Sequence, residues 1–257
     1  MTGAEGWIDS HCHLDALESP TQQWVQKAKE AGVARIVTVG TDLETSLRSV
    51  ELAELFDEVW AVVGIHPHDS PNAKQDALSQ IASLAQHPKV VAIGEIGLDY
   101  YRDYAPRDAQ KAAFAAQLEL AAELGKPVVL HIREAFDDTL QILDEAPPQS
   151  GVVFHCFSGG LQEAAEASRR GFVSFAGNLT FKNAEVLRAA AKVIPHSRLL
   201  IETDSPYLAP VPFRGKANQP ALVSITGTAL AQLMGADPAA FSAVLAANSR
   251  AAFGWEA

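Results

Sequence analysis

Four histidines and two acidic residues stand at or just after short apolar segments of this sequence. They are His11, His13, Glu95, His131, His155 and Asp204. Imidazole nitrogens and carboxylate oxygens are the ligands that divalent first-row metal ions prefer in proteins. If the fold brings these side chains together, they can bind two divalent ions and make the chain a metal-dependent hydrolase.

The first two histidines are separated by one residue. On a strand, His11 and His13 therefore lie on the same face, and Asp9 shares that face as an expected partner that orients one of them. A single His-X-His pair is weak evidence, because packed or exposed histidines give the same pattern. The metal-site interpretation depends on the other positions, each of which also follows a predicted strand.

Glu95 is set between two glycines. Gly94 and Gly97 permit a close approach of neighbouring backbone, and the two oxygens of an ionised glutamate can bridge two cations. The alternative is a salt bridge to a neighbour, but a buried carboxylate needs a strong partner, and a pair of metal ions is such a partner. Glu202 shares a strand face with Asp204, and its role stays open between orienting a ligand and binding metal.

Eight runs of apolar and β-branched residues alternate with longer helical patterns. The predicted strands are residues 7–11, 35–39, 59–64, 90–94, 127–131, 151–155, 172–175 and 198–202. Continuous apolar runs are typical of parallel strands that are buried on both faces. The eightfold alternation predicts an α/β fold of the (β/α)8 TIM-barrel type, with a doubly wound open sheet as the alternative. We expect one hydrolase domain over residues 1–257, close to the ~250 residues typical of this barrel.

Helix signals separate the strands. Pro106 and Gly125 are expected to open and close a long helix, Thr41 with Glu44 matches a capping box, and an Asp-Pro pair at 237–238 starts the last helix. In such barrels, active sites lie at the C-terminal ends of the strands. Two further histidines fall near predicted helix ends, and we expect His87 and His196 to be surface residues.

Composition limits the environment and the partners. Cys12 and Cys156 each follow a predicted ligand, and strand alternation turns both side chains away from the site, so we expect buried, unreactive thiols. No apolar run reaches the ~18 residues of a membrane span, and the first residues lack a signal-peptide pattern. We therefore expect a cytoplasmic protein without a membrane partner. The net charge of −11 argues against a broad surface for nucleic acid, but allows a small pocket for one strand end.

The sequence resembles, almost from end to end, the TatD family of metal-dependent deoxyribonucleases, which are amidohydrolase-like barrels. The segments that carry the resemblance are Asp9-Ser10-His11-Cys12-His13-Leu14-Asp15, Gly64-Ile65-His66-Pro67-His68, Gly94-Glu95-Ile96-Gly97-Leu98-Asp99-Tyr100, Val129-Leu130-His131, Phe154-His155-Cys156-Phe157-Ser158-Gly159, Glu202-Thr203-Asp204-Ser205-Pro206-Tyr207-Leu208 and Arg214-Gly215-Lys216. Together these segments are highly specific, and none of the six ligand positions departs from the family pattern.

The resemblance implies two divalent ions per chain (zinc, magnesium or manganese), bridged by Glu95. His11, His13 and Asp204 would complete one metal shell, and His131 with His155 the other. It also implies a nuclease, a 3′–5′ exonuclease on short single-stranded DNA ends that uses a water activated by the two metals. In this scheme Glu95 and Asp204 are the catalytic residues, and Asp204 takes the proton from that water.

Four more residues are candidates for binding the substrate. They are His66, Arg133, Tyr207 and Arg214. The arginines could contact phosphates or could equally be solvated surface charges. Tyr207 begins a long segment, residues 205–219, that is typical of a substrate-covering loop, and its ring could stack on a base or pack beneath its own loop.

Two other functions remain open. The same metals could hydrolyse carboxylic esters or aminoacyl-tRNA, and assays on oligonucleotides and charged tRNA side by side would separate these activities. The chain could instead be a non-enzymatic, metal-holding binding protein, but a scaffold has no need of six metal ligands with arginines beside them. No obligate protein partner is evident from the sequence.

Overall fold

A computed structural model of the protein describes residues 6–18 and 20–255. The expectation that the chain begins without a signal peptide concerns residues 1–5, which lie outside the described residues. Within the described part, no single helix is both long and apolar enough to cross a bilayer. The helix pair Pro220–Leu233 and Pro238–Phe253 passes that test only when taken together, and it is bent by 108°.

Eight strands form one parallel sheet in which spatial order follows chain order. The strands are β1 (Trp7–Cys12), β2 (Val33–Val39), β3 (Val59–Val63), β4 (Val90–Asp99), β5 (Val128–Arg133), β6 (Val152–Phe154), β7 (Phe172–Phe175) and β8 (Leu199–Ile201). Each overlaps a predicted strand. A doubly wound sheet would reverse its strand order part-way, so this sequential order confirms the predicted (β/α)8 TIM-type fold.

Helices alternate with the strands. They are α1 (Thr21–Glu30), α2 (Leu43–Leu55), α3 (Gln75–Leu84), α4 (Arg107–Leu124), α5 (Phe136–Glu145), α6 (Leu161–Arg170), α7 (Glu185–Val193), α8 (Val223–Leu233) and α9 (Pro238–Phe253). Short 3₁₀ segments occupy Leu14–Ala16, Pro67–Asn72, Gly177–Thr180, His196–Arg198 and Pro220–Leu222. Pro106 and Gly125 flank α4 as predicted, and Gly125 has a left-handed φ of 63°. The predicted capping box is wrong by one residue, because Asp42 and Thr45 cap α2.

The described chain divides into two compact units. The central unit is Thr38–His155, with α2–α5 and β3–β6. The flanking unit consists of the residues up to Val37 and those from Cys156 onward, with β1, α1, α6–α9, β7 and β8, while β2 has residues in both units.

In the central unit, two buried glutamines on α4 hold the backbone beside two strand ends. Gln117 accepts from the N–H of Ile65 (2.7 Å) and donates to its carbonyl (2.9 Å). Gln110 does the same for Asp99, at 2.8 and 3.1 Å. A buried amide paired in this way leaves no polar atom unsatisfied and fixes the chain it holds. Helix α4 therefore positions the segment after β3 and the end of β4.

In the flanking unit, side chains and a glycine on α8 and α9 likewise fix these helices against the strands. Asn248 on α9 donates to the carbonyls of His196 (2.7 Å) and Leu199 (2.9 Å), at the start of β8. On α8, any side chain at Gly227 would overlap the ring of Trp7 on β1. These two contacts pack α8 and α9 against the strands of this unit.

Candidate metal centre

In the central unit, three histidines converge on one oxygen of Glu95. Glu95 Oε1 lies 2.7 Å from His131 Nδ1, 2.9 Å from His155 Nε2 and 3.5 Å from His66 Nε2. We call these four residues the Glu95 cluster. The carboxylate is buried, and ligand atoms of His66, Glu95 and His131 all lie within 4.8 Å of one another. This donor set of imidazoles and a carboxylate fits a divalent transition-metal ion.

Glycines on β4 permit this arrangement, as the sequence predicts. Gly97 pairs in register with His131 and has a φ of 136°, a conformation that L side chains rarely adopt. A Cβ at Gly97 would overlap the carbonyl oxygen of His131, and one at Gly94 would lie 2.8 Å from Val129 Cβ. Strands β4 and β5 can therefore approach closely enough to place His131 against Glu95.

Asp99, at the end of β4, completes the surroundings of His131. Its Oδ2 lies 3.1 Å from His131 Nε2 and 2.9 Å from His68 Nε2. Its Oδ1 accepts the backbone N–H groups of Tyr101 (3.0 Å) and Arg102 (2.8 Å). Asp99 therefore joins a candidate metal ligand to the loop after β4. We had not predicted Asp99 or His68 as site residues, although both lie in the segments that carry the family resemblance.

The protonation of the buried groups differs between His66 and His131. Burial lowers the pKa of His66 to about 4, so its ring is neutral at pH 7, and its Nδ1 accepts the backbone N–H of His68 (3.1 Å). Burial also acts against the charged form of His131, but its bonds to Asp99 and Glu95 outweigh burial and raise the pKa. Burial disfavours the charge on Asp99, yet hydrogen bonds from His131 and from the N–H of Arg102 hold the pKa of Asp99 well below its ordinary value.

The flanking unit contains a second set of ligands, His11, His13 and Asp204, which we call the Asp204 cluster. Asp204 Oδ1 lies 3.6 Å from His13 Nε2 and 4.0 Å from His11 Nε2. The ligand atoms of all three residues lie within 4.8 Å of one another, and the two rings meet edge to face. This set also fits a divalent ion, because three protein ligands are the number typical of catalytic metal sites.

Backbone bonds at the end of β1 hold this cluster. The N–H of Asp204 donates to the carbonyl of His11 (2.9 Å), and that of His13 donates to the carbonyl of Ser205 (2.8 Å). Asp204 has a left-handed φ of 54°, which aspartate tolerates better than most residues. Asp9, which we expect to orient a histidine ring, binds the backbone of His11 and of Thr203 with its carboxylate. Its carboxylate accepts from the Thr203 N–H (2.8 Å) and hydroxyl (2.6 Å), so it anchors the chain just before Asp204.

Comparison with known proteins decides the family. Residues 8–254 match the family described as "TatD related DNase". The chain belongs to this TatD family. Similar proteins include "Uncharacterized metal-dependent hydrolase YabD" of Bacillus subtilis (42% identical, 88% of this chain and 90% of that one). They also include "3'-5' ssDNA/RNA exonuclease TatD" of Cronobacter sakazakii (38% identical, 90% of each). The chain is therefore a metal-dependent hydrolase of ester bonds.

A solved structure of a relative agrees with the fold. The crystal structure of YJJV, a TatD homologue of Escherichia coli K12, has a TM-score of 0.92 to this chain and 29% sequence identity. The alignment covers 98% of this chain and all of the homologue, so the TatD family fold accounts for the described chain from β1 to α9.

Three of the four predicted substrate residues are at least partly exposed. Tyr207 is 59% exposed, with its ring centroid 6.2 Å from that of His13, so the alternative of packing beneath its own loop is wrong. Arg133 lies over the ring of Tyr101, at 4.0 Å from its centroid. Arg214 is exposed and lies 4.3 Å from the ring centroid of Phe181. His66, the fourth, is buried in the Glu95 cluster.

The loop 205–219 depends on a residue that we had not predicted. Asn218 is buried and donates from its Nδ2 to the carbonyls of Thr203 (2.8 Å) and Tyr207 (2.7 Å). Gly177, in the 3₁₀ segment after β7, lies so close to this loop that a Cβ would overlap the carbonyl of Leu208. The loop is thus fixed at its base, close to Asp204.

The remaining cysteine and histidine predictions have mixed outcomes. Cys12 is buried, and its thiol donates to the carbonyl of Val37 (3.5 Å), as expected for an unreactive thiol. Cys156 is only half-buried, because β6 ends at Phe154 and strand alternation no longer applies at its left-handed φ of 44°. His196 is exposed as predicted, while His87 is half-buried and pairs with a surface glutamate. Glu202, which lies two residues before Asp204 in the sequence, is fully buried.

Proposed function

We propose that this TatD-family hydrolase is a 3′–5′ exonuclease that shortens single-stranded DNA ends with two divalent ions per chain. The observation that carries the proposal is the presence of two ligand sets, the Glu95 cluster and the Asp204 cluster, each with three ligand atoms within 4.8 Å of one another. The ligands of both sets lie in the C-terminal half of a strand or in the segment after one, and active sites of this fold lie at the C-terminal ends of the strands.

The proposal assigns a role to each ligand. His11, His13 and Asp204 would hold one ion, and Glu95, His131 and His155 would hold the other. His66 has the longest distance to Glu95, 3.5 Å, so we assign it to the substrate phosphate as a neutral donor. Zinc and manganese suit this imidazole-rich set better than magnesium, which prefers oxygen ligands.

Hydrolysis of a phosphodiester requires an activated water and positive charge beside the phosphate. Divalent ions supply both when they are bound. In our proposal the carboxylate of Asp204 accepts the proton of the attacking water and passes it towards the leaving oxygen. The side chain of Asp204 is 14% exposed, so a water molecule can reach it while the low-dielectric surroundings keep the interaction strong.

The choice of substrate is supported by charge and by relatives. Arg133 and Arg214 offer guanidinium groups for phosphates, and the exposed ring of Tyr207 can stack on a base. The net charge of −11 favours a short strand end over a long duplex. The Cronobacter sakazakii relative is named as an exonuclease on single-stranded DNA and RNA.

The family match over residues 8–254 supports treating residues 1–257 as one hydrolase domain. Two cysteines do not make a disulfide framework, which supports a reducing compartment such as the cytoplasm for this hydrolase.

The test is an end-labelled assay. A single-stranded DNA oligonucleotide with a 5′ label is incubated with the protein and manganese, zinc or magnesium, with and without chelator, beside charged tRNA and a carboxylic ester. We expect shortening from the 3′ end that stops with chelator and is lost in His131→Ala but not in the control His196→Ala. Deacylation of charged tRNA without any shortening of DNA would replace this proposal with the esterase alternative.

A further inference from the structure

The loop after β4 exposes two tyrosine rings that the proposed chemistry does not use. Tyr101 is 55% exposed and Tyr104 is 67% exposed. Tyr100, by contrast, is half-buried, and its hydroxyl donates to Asp138 (2.6 Å). Single exposed apolar side chains need no explanation, but two large rings in one short loop form a surface that favours a ligand with flat, apolar faces.

Direct contacts connect these rings to the Glu95 cluster. The ring centroid of Tyr104 lies 4.8 Å from that of His68, whose Nε2 is 2.9 Å from Asp99 Oδ2. The same carboxylate group holds the backbone N–H of Tyr101 and lies 3.1 Å from His131 Nε2. The loop is therefore fixed beside a candidate metal ligand within the central unit.

Positive charge accompanies the rings. The guanidinium of Arg133, at the end of β5, lies 4.0 Å from the ring centroid of Tyr101, and that of Arg102 lies 5.7 Å away. The acidic residue of this loop, Asp103, faces Arg107 at 3.9 Å. A ligand on this surface therefore meets aromatic faces together with two cations, which is the chemistry of a base and its phosphate.

We propose that Tyr101, Tyr104 and Arg133 form a subsite for single-stranded nucleic acid. The tyrosine rings stack on bases next to the terminal nucleotide, and Arg133 binds the phosphate between them. This inference rests on the phosphodiesterase function proposed above and deepens it, because a site of this kind selects an oligonucleotide end over a small ester. Stacking does not read the sugar, so the subsite accepts DNA and RNA.

Binding is measured on the chelated protein, where no cleavage occurs. Fluorescence anisotropy follows labelled DNA and RNA hexanucleotides and an abasic hexanucleotide. We expect Tyr101→Ala and Tyr104→Ala each to weaken binding of the base-containing strands roughly 5- to 150-fold, the range for loss of one stacked base. Tyr101→Phe and Tyr104→Phe keep the rings and should stay within about twofold of the parent. Binding of the abasic strand should not change in the alanine variants.

A charge control accompanies the ring variants. Arg133→Gln should weaken all three strands, while Arg48→Gln, at an exposed arginine on α2, should weaken none. A loss confined to DNA or to RNA would overturn the claim that the subsite accepts both. Alanine variants that bind like the parent, an equal loss for the abasic strand, or a parent that binds no oligonucleotide would overturn the subsite itself.

Failure of the subsite and failure of the proposed function give different results. If the parent cleaves no phosphodiester but the ring variants lose oligonucleotide binding, the exonuclease proposal fails and the subsite stands. If the parent shortens DNA and the ring variants have an unchanged KM, the subsite fails and the exonuclease proposal stands.

Discussion

Replacing Asp99 with asparagine tests how the structure prepares His131 for a metal ion. His131 Nδ1 faces Glu95 at 2.7 Å, and Nε2 faces Asp99 at 3.1 Å. With an ionised Asp99, the proton of a neutral His131 stays on Nε2, and Nδ1 keeps its lone pair for the metal. The amide of Asp99→Asn can still accept the N–H groups of Tyr101 and Arg102 through Oδ1, so the loop after β4 is retained.

The expected loss of metal affinity follows from the change at Oδ2 of Asp99, where a hydrogen-bond donor replaces an acceptor. An NH2 group in place of Oδ2 presents donors to His131 Nε2 and His68 Nε2. The favoured tautomer of His131 then carries its proton on Nδ1, where it opposes the metal. Loss of such a carboxylate–histidine contact typically costs 10–100-fold in metal affinity, or about 1.4–2.7 kcal/mol. We expect this loss at one ion only, because the metal ligand that Asp99 contacts is His131 of the Glu95 cluster.

The assay is calorimetric titration of the chelated protein with zinc, with Asp138→Asn as the matched control. Asp138 is an acidic residue of the same unit whose carboxylate binds Tyr100 and Lys111 on the surface. We expect one binding step to weaken in Asp99→Asn and no change in the control. An Asp99→Asn protein that unfolds at the parent's temperature and binds zinc as tightly as the parent would refute the reasoning.

Three further predictions concern other parts of the site. Since the pKa of His66 falls from 6.5 to about 4 on folding, the chelated parent should lose up to about 3 kcal/mol of stability as the pH falls from 6.5 to 4. Urea unfolding at both pH values should show that His66→Gln lacks this loss. Gly97→Ala should lower the unfolding free energy by roughly 2–4 kcal/mol, whereas Gly215→Ala, at positive φ in open space, should cost roughly 1 kcal/mol; denaturant midpoints compare the two. Asp204→Asn should slow single-turnover cleavage ~10²–10⁴-fold at saturating metal, and a rate within a few-fold of the parent, with both ions bound, would make Asp204 a ligand only.

The strand pattern predicted the fold because continuous apolar runs and helix signals are local properties of the sequence. The rule that active sites lie at the C-terminal ends of the strands then led to the six candidate ligands. Strand β4 was predicted to end at residue 94, since its glycines interrupt the apolar run. It continues to Asp99, because those glycines let it pair with β5 as far as Arg133.

The sequence did not predict several hydrogen-bond partners, because these partners are distant in the chain and come together only in the folded protein. Asp9 shares a strand face with His11, yet its carboxylate accepts the N–H and the hydroxyl of Thr203, almost two hundred positions away in the chain. Asp99 and His68 were visible in the sequence, but their link to His131 depends on the register of β4 and β5. Cys156 departs from strand alternation because its backbone is left-handed. No residue pattern in the sequence indicated this conformation.

The most direct test of the central claim couples metal content to cleavage in one titration. Chelated protein is titrated with manganese or zinc while bound metal and 3′ shortening of a single-stranded oligonucleotide are measured in the same sample. We predict two equivalents bound per chain, with cleavage appearing only as the second is taken up. A single equivalent at saturating metal, with full cleavage of the oligonucleotide, would contradict the two-ion exonuclease.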